Sequence, residues 1–281
     1  MSAADAERIA ALALAEDGDS DVTTAVTVPP GLPAEGRIEY RSGGVMAGAA
    51  YAEAVARACE CRVDWRTGDG WAVGPDAVVG LVEGTLAHIL RAERPMLNLL
   101  QRACGIATTT RAYVDAVAGT GCRILHTRKT APGLRSLDIA AVLAGGGTRH
   151  RADLCHEVMV KDNHWQALRA GGRTLAQALE EARQRGIVAL QVEVESEAQL
   201  EEACAAGATR LLIDNQSPAT LSRWAGRARA LRPAIEIEAT GGITLENVRA
   251  YAEAGADFIS IGALTHSVRA ADLAVEVREI A

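Results

Sequence analysis

The sequence predicts an α/β protein, and three observations predict it. The second half repeats one pattern: a short apolar run, charged or glycine residues at its end, then a helical stretch. No dinucleotide-binding glycine fingerprint accompanies that repeat. Apolar residues make up 49% of the 281 positions but aromatics only 3%, with Phe258 the single phenylalanine. Ala, Val, Leu and Ile must therefore fill the core, as in Ala-rich helices laid over Val/Ile strands. Strands and helices alternating at this spacing imply a parallel sheet. A run of about six such units points to a barrel or partial barrel.

The first half has a different grammar. Ala4–Ala15 has helical spacing and ends in an acidic loop, Glu16 to Asp21. Gly36–Ala47 alternates through Arg37, Ile38, Glu39, Tyr40 and Arg41, which is strand-like. Tyr51–Cys61 reads as a helix. Val63–Trp65, Trp71–Val73 and Ala77–Thr85 read as short strands punctuated by Gly68, Gly70, Gly74-Pro75 and Gly80. A long helical region follows from Ala92 to Val117, with Pro95 near its first turn and a break expected at Gly105. This half reads as an α+β domain with antiparallel strands.

In the second half the strands are drawn at Arg123–His126, Glu157–Val160, Leu190–Val194, Arg210–Ile213, Ile235–Ala239 and Phe258–Ile261. Helices fit at Leu175–Arg185, Glu197–Ala206, Pro218–Leu231 and Leu245–Ala254. Gly186, Gly207 and Gly255 follow three of them as helix stops.

Composition narrows the function classes. The net charge is −7. The six cysteines contain no Cys-x-x-Cys pair and no zinc-finger spacing, so they read as thiols of a reducing compartment. Met1 to Glu16 is Ala-rich but carries Asp5, Glu7 and Arg8, unlike a signal peptide. No uncharged apolar stretch approaches a membrane span. The expectation is a cytoplasmic protein that binds neither membrane nor nucleic acid.

Chemistry in βα barrels sits at the C-terminal ends of the strands. Those ends read, in order, Arg128-Lys129; Lys161-Asp162-Asn163; Glu193 and Glu195; Asp214-Asn215; Thr240-Gly241-Gly242; and Gly262-Ala263. Cations come first, acids next, glycines last. Gly145-Gly146-Gly147 and His150-Arg151 add to the cationic side. A confined basic cluster in an acidic chain suits a small polyanion rather than an extended nucleic-acid face. Glu193 and Glu195 share one face of a strand by alternation, and a buried carboxylate there needs a cation, hydroxyls or a metal. Asp214 ends an apolar strand; it also fits a helix cap before Ser217-Pro218. Lys161 caps a strand and reads as an anion-binding point charge, with a Schiff-base lysine of a barrel lyase as the alternative. A triple glycine alone is only a flexible loop; followed by His150-Arg151 it reads as part of the site. His126 reads as a packed core histidine, and Arg169–Arg173 and Arg183–Arg185 as solvated helix surface.

Taken in order, these motifs are identified as those of a known family. Asp21-Val22-Thr23-Thr24, Glu93-Arg94 to Gln101-Arg102, Thr127-Arg128-Lys129-Thr130 with Pro132-Gly133-Leu134-Arg135, the triple glycine, and His150-Arg151 appear in sequence. Lys161-Asp162-Asn163-His164, Val192-Glu193-Val194-Glu195, Asp214-Asn215, Glu238-Ala239-Thr240-Gly241-Gly242 and Ser260-Ile261-Gly262-Ala263 follow. The chain resembles quinolinate phosphoribosyltransferase over almost its whole length. A molybdenum-transport-associated relative shares the Arg-Lys-Thr and glycine segments, but Lys161-Asp162-Asn163-His164 looks more like the quinolinate enzyme.

The resemblance implies an N-terminal α/β sandwich domain over 1–106. It also implies an incomplete, six- or seven-stranded α/β barrel over 107–264 that carries the site, with 265–281 packing back on the first domain. It implies a homodimer in which Arg94 is supplied across the interface. The implied reaction joins quinolinate to phosphoribosyl pyrophosphate with Mg2+, giving nicotinate mononucleotide, pyrophosphate and CO2. Arg94, Arg128, His150, Arg151 and Lys161 would bind the dicarboxylate, Thr127 would be a further substrate-binding residue, and Lys129 with Lys161 would face the pyrophosphate or phosphate. Glu193 and Asp214 would hold ribose hydroxyls directly or through Mg2+. Thr240, Gly241, Gly242, Ile261, Gly262 and Ala263 would receive the 5′-phosphate. Lys129, Lys161, Glu193 and Asp214 are the implied catalytic set. The chain departs from the family where His126 replaces the usual Asp, where Thr240 replaces the commoner Ser, and in a shorter segment Glu16 to Asp21.

Overall fold

Strand pairing separates an antiparallel sheet from a parallel one. The structure is a computed structural model and describes residues 3–279. The chain forms two units. Of the described residues, the first takes those up to Arg111, Lys129–Gly147 and those from Ala263 on; the second takes Ala112–Arg128 and Thr148–Gly262.

The chain begins with α1 (Ala3–Glu16), α2 (Val22–Thr27), β1 (Pro33–Tyr40), β2 (Gly44–Val45) and α3 (Ala49–Ala58). It continues through β3 (Arg62–Trp65), β4 (Ala72–Val73), β5 (Ala77–Thr85) and α4 (Leu86–Ala116). Next come β6 (Arg123–Leu125), α5 (Arg135–Ala144), β7 (Val158–Val160), α6 (Asp162–Ala170), α7 (Leu175–Gln184) and β8 (Leu190–Val194). The last are α8 (Glu197–Ala205), β9 (Arg210–Asp214), α9 (Pro218–Leu231), β10 (Glu236–Thr240), α10 (Val248–Glu253), β11 (Phe258–Ser260), α11 (Ala263–His266) and β12 (Leu273–Glu279).

In the first unit the sheet runs β12-β1-β5-β3. The final strand β12 pairs antiparallel with β1, from Ala34↔Glu279 to Tyr40↔Leu273. Alternation along β1 buries Ala34, Gly36, Ile38 and Tyr40, the period expected of a sheet with one covered face. Ile9 of α1 and Tyr51 and Val55 of α3 are fully buried with them. The strand expected over Gly36–Ala47 is broken in two. β1 stops at Tyr40, Arg41 N–H turns to the Asp272 carbonyl at 2.8 Å, and β2 pairs separately with β4.

Helix α4 differs from the sequence expectation in two ways. It starts at Leu86, so Pro95 lies in its interior. Proline there deletes one i→i−4 bond, and burial of Ala92, Met96, Leu97 and Leu100 outweighs that local cost. The helix also runs unbroken through Gly105. A β-carbon at Gly105 would sit 2.1 Å from the Arg269 carbonyl oxygen; the glycine marks a close backbone approach, not a break. The triple glycine has a similar explanation. A β-carbon at Gly145 would lie 2.5 Å from the Ala107 carbonyl oxygen, and one at Gly147 would lie 2.6 Å from Val142 Cγ1. Packing of the end of α5 accounts for these two glycines.

The second unit carries the parallel sheet, ordered β6-β11-β10-β9-β8-β7. Strands from β7 to β11 lie beside one another in chain order, and the first strand, β6, joins the last. That is the winding of a barrel, with β6 and β7 at the two ends of the sheet, so the expected incomplete barrel has six strands. Thr148 adds one parallel bridge to Leu125.

Alternation gives this sheet two unlike faces. One carries Val192, Leu211, Ile213, Ile237, Ala239 and Ile259, all buried, alongside buried helix residues such as Leu179, Leu200 and Leu221. The other carries Gln191, Glu193, Arg210, Glu238 and Ser260 among fewer apolar groups. At the N-terminal end of that face the Phe258 ring lies between two guanidinium groups, Arg123 at 4.3 Å and Arg210 at 4.0 Å. Among the described residues no helix is long and apolar enough to cross a membrane.

Candidate active site

The polar face of the parallel sheet ends in charged loops. Lys161 directly follows β7, and the Val160↔Val192 register sets it beside Glu193 of β8. Their side chains form an ion pair. Glu193 is 9% exposed and Lys161 41%, so the carboxylate is the desolvated member. Trp165 Nε1–H donates to the Glu193 carbonyl at 2.9 Å and fixes the strand end. Glu195 lies just past β8 and is exposed, so of the alternating pair only Glu193 is enclosed.

Two arginines supply further positive charge. Arg128 follows β6; its Nε is buried and has no hydrogen-bond partner. Arg151 lies in the irregular segment that leads to β7. Burial holds the Arg151 pKa below its ordinary value, the Arg128 charge pushes it the same way, and Glu157 and Glu238 oppose the shift. Two cations that disfavour each other in a partly desolvated place are stabilised by an anion between them.

Asp214 closes β9 in register with Thr240 of β10. Asn215 takes a positive φ of 52°; its amide N–H donates to the Thr240 carbonyl at 2.9 Å and its side chain to Asp214 Oδ2 at 2.6 Å. Gly241 is dictated by this crowding. Its φ is +83°, and a β-carbon would lie 2.2 Å from Asn215 Oδ1. Gly242 also has positive φ, +63°, but faces open space. Successive turns of this kind present backbone N–H groups to an anion. Ile261 is buried and its N–H donates to the Leu125 carbonyl at 3.1 Å, leaving Gly262 at the mouth of the strand end.

Beneath these loops lies a buried network. His126 is fully buried, and its Nε2 accepts the His150 backbone N–H at 3.1 Å. Its Nδ1 lies 3.3 Å from the Thr127 carbonyl. Burial pushes the His126 pKa down to about 4, so it is a neutral ring. The core-histidine reading of His126 is thus observed. His150 Nδ1 accepts the Arg151 backbone N–H at 2.7 Å, and His150 Nε2 lies 3.3 Å from Glu238 Oε2. Ser260 Oγ–H donates to the other Glu238 oxygen, and Arg210 Nη1–H donates to Oε2 at 3.3 Å. Burial raises the Glu238 pKa, but His150, Ser260 and Arg210 together hold it below the ordinary value. Sequence reasoning placed Glu238 and Ser260 in motifs without giving either a role, and read Arg210 only as the start of a strand. The signal was present: Glu236 and Glu238 alternate on β10 just as Glu193 and Glu195 do at the end of β8 and just past it.

The structure therefore joins Lys161 to Glu193, Asp214 to Thr240 and Gly241, and His150 to Arg151. Thr127 is half-buried between His126 and Arg128. Arg94, Lys129 and Ala263 belong to the first unit. There Arg94 is exposed on α4, and the Lys129 carbonyl accepts a hydrogen bond from Thr265 Oγ1 at 2.8 Å. Among the described residues no three His, Cys, Asp or Glu side chains gather to form a metal cage.

The sequence matches the quinolinate phosphoribosyl transferase N-terminal domain over residues 21–104 and the C-terminal domain of the same name over residues 106–276. It is 38% identical over 263 residues to the nicotinate-nucleotide pyrophosphorylase [carboxylating] of Mycobacterium leprae, covering 92% of this chain and 91% of that protein. It is 43% identical over 212 residues to a probable nicotinate-nucleotide pyrophosphorylase [carboxylating] of Bacillus subtilis, covering 74% of this chain and 71% of that one. The solved structure of the Francisella tularensis nicotinate-nucleotide pyrophosphorylase superposes with a TM-score of 0.91 at 28% identity, over 99% of this chain and 98% of that one.

Proposed function

The chain belongs to the quinolinate phosphoribosyl transferase family, and from that premise we propose how its residues carry out the reaction. It is a pentosyltransferase of NAD biosynthesis, a nicotinate-nucleotide pyrophosphorylase of the carboxylating type. It transfers the phosphoribosyl group of phosphoribosyl pyrophosphate to quinolinate with loss of CO2.

The observation that carries the residue assignment is the pair Arg128 and Arg151. One has a buried, unpartnered guanidinium nitrogen; the other is desolvated beside it. Quinolinate brings two adjacent carboxylates, and arginine forks bind carboxylates bidentately. Lys161 and the hydroxyl of Thr127 complete this side of the site, and His150 lies beneath it, bonded to the Arg151 N–H. Arg94, exposed on its helix, is free to reach the dicarboxylate of a partner subunit in a homodimer. Lys129 and Lys161 face the pyrophosphate, and the Thr240-Gly241-Gly242 and Ile261-Gly262-Ala263 turns receive the 5′-phosphate.

The ring nitrogen of quinolinate attacks the anomeric carbon as pyrophosphate leaves. Glu193 and Asp214 hold the ribose hydroxyls and stabilise positive charge at that carbon. The ring nitrogen becomes cationic and stabilises the electron pair left on C2 when the 2-carboxylate departs as CO2; a proton from solvent then takes up that pair at C2 and gives nicotinate mononucleotide. Catalysis rests on positioning and electrostatics, without a covalent protein intermediate. Glu193 and Asp214, carboxylates at neighbouring strand ends, would hold Mg2+ indirectly, together with the phosphoribosyl donor. When bound it neutralises charge on the leaving pyrophosphate. The reading also favours anions over a Schiff base: Lys161 is engaged as a cation by Glu193, a poor state for an amine nucleophile. Six free cysteines support the cytoplasm as its compartment.

The deciding assay supplies purified protein with quinolinate, phosphoribosyl pyrophosphate and Mg2+ and measures nicotinate mononucleotide and CO2. Nicotinate in place of quinolinate should give no product. A folded protein that makes neither product from quinolinate overturns the reading.

A further inference from the structure

Arg151 has no helix or strand to hold it. It lies in the irregular stretch between the Thr148 bridge and β7, yet a bidentate contact with a carboxylate needs the guanidinium placed to a fraction of an ångström. Its position must come from side-chain hydrogen bonds, and the residue before it supplies them. His150 is held at three points. Its backbone N–H is taken by His126 Nε2 at 3.1 Å. Its Nε2 faces Glu238 at 3.3 Å. Its Nδ1 takes the Arg151 N–H at 2.7 Å. The side chain is 6% exposed. Both ring nitrogens are occupied by the protein itself, so the ring offers none to a ligand. An Nδ1 that accepts carries no hydrogen; the ring proton is therefore on Nε2, directed at the carboxylate.

The network is complete on its far side. Glu238 is held by Ser260 and by Arg210 at 3.3 Å, and Arg210 is itself anchored on Glu236 at 2.7 Å. The chain of contacts thus runs from β9, β10 and β11 and from the residue after β6 to one peptide unit, 150–151. A buried network with its members satisfied fixes a single geometry.

We propose that His126 and Glu238 are positioning residues for dicarboxylate recognition. They act through His150, which is itself a positioning residue that orients Arg151 rather than a contact to the pyridine carboxylates. His126 serves as a hydrogen-bond acceptor, a task that an acceptor side chain of similar reach can perform. This proposal rests on the quinolinate reading of the site and assigns roles within it.

Two measurements test it. In steady-state kinetics, His126→Leu, which removes the acceptor, should raise KM for quinolinate by about tenfold or more, the cost of one unsatisfied buried N–H. KM for phosphoribosyl pyrophosphate should stay within about threefold, and His126→Gln, which restores an acceptor near Nε2, should return KM for quinolinate to within about threefold of the unaltered protein. An unchanged KM for quinolinate in folded His126→Leu overturns the proposal. So does an equal rise in both KM values, or a failure of His126→Gln to rescue.

The second measurement needs no variant and no turnover. Imidazole nitrogen NMR of the unaltered protein at pH 7 should show His150 protonated on Nε2 and bare at Nδ1, in that form with and without saturating quinolinate. A doubly protonated ring, or an Nε2 proton that moves to the ligand when quinolinate binds, overturns it. Absence of turnover in the unaltered protein counts against the enzyme reading, whereas the tautomer of His150 counts for or against this one.

Discussion

Lys161 and Glu193 neutralise each other at the ends of neighbouring parallel strands, and they do so unequally. The carboxylate is enclosed while the ammonium keeps contact with water. Removing either partner therefore has a different consequence. Lys161→Met strands a desolvated carboxylate and should destabilise the protein by roughly 1–3 kcal/mol. Glu193→Gln leaves a lysine that water can solvate and should cost under about 1 kcal/mol. Urea unfolding of the two variants measures the difference; equal losses would contradict the asymmetry. Both variants should lose kcat/KM by about a hundredfold or more, because each removes charge from the reacting region.

Arg94 supplies a test of shared sites. If it serves the partner's site, Arg94→Ala and Lys129→Ala proteins are each nearly inactive, but their heterodimer contains one intact site of its two. Random exchange of subunits in an equal mixture should restore about one quarter of full activity. Activity that stays at the level of the separate variants, after exchange is demonstrated by mass spectrometry, means that the site is not shared in this way.

Gly105 predicts a stability effect remote from the chemistry. Alanine would gain about 1 kcal/mol in helix propensity at an open position. Here its β-carbon would stand 2.1 Å from a backbone carbonyl oxygen and 3.1 Å from Ala270 Cα, and neither atom is the end of a flexible side chain. Overpacking of that kind costs about 1–3 kcal/mol or more. Gly105→Ala should therefore lower Tm by several degrees; a Tm equal to or above that of the unaltered protein would show that the Arg269 segment gives way freely.

Stability should fall in mild acid because of His126. Its folded pKa is about 4 against an ordinary 6.5. Between those values the unfolded chain binds a proton that the folded protein refuses, so stability rises with pH across this window. The contribution is fully present above pH 6.5 and is lost as pH falls toward 4, by roughly 3 kcal/mol at most, at about 1.4 kcal/mol per pH unit. Subtracting the pH profile of His126→Gln isolates it from the carboxylates that titrate below pH 4.5. Parallel profiles for the two proteins between pH 6.5 and 4.5 would refute the assignment.

Much of this was legible in the chain. The α9 helix begins at Pro218 and ends at Leu231 as its spacing predicts, and Gly186, Gly207 and Gly255 take positive φ as helix stops. Periodicity and turn chemistry are local, so residues near one another suffice to specify them. The order Arg128, Lys161, Glu193, Asp214, Gly241 at successive strand ends is local as well, once each strand is recognised. It was enough to place cations, acids and glycines on one face of a barrel.

What the sequence left undecided depends on pairs far apart in the chain. Pro95 and Gly105 look like an end and a break, but burial of their neighbours and the approach of Arg269 keep α4 whole. The triple glycine looks like a ligand loop, but Gly145 and Gly147 are needed for packing against Ala107 and Val142. His150 looks like one more positive contact, until Glu238, which lies 88 residues away, and the Arg151 N–H are seen to occupy its ring. Local sequence set which elements form and which charges reach the strand ends. Only the tertiary structure decided which polar atoms were already satisfied by the protein, because a buried donor or acceptor takes the nearest partner in space, whatever its position in the chain.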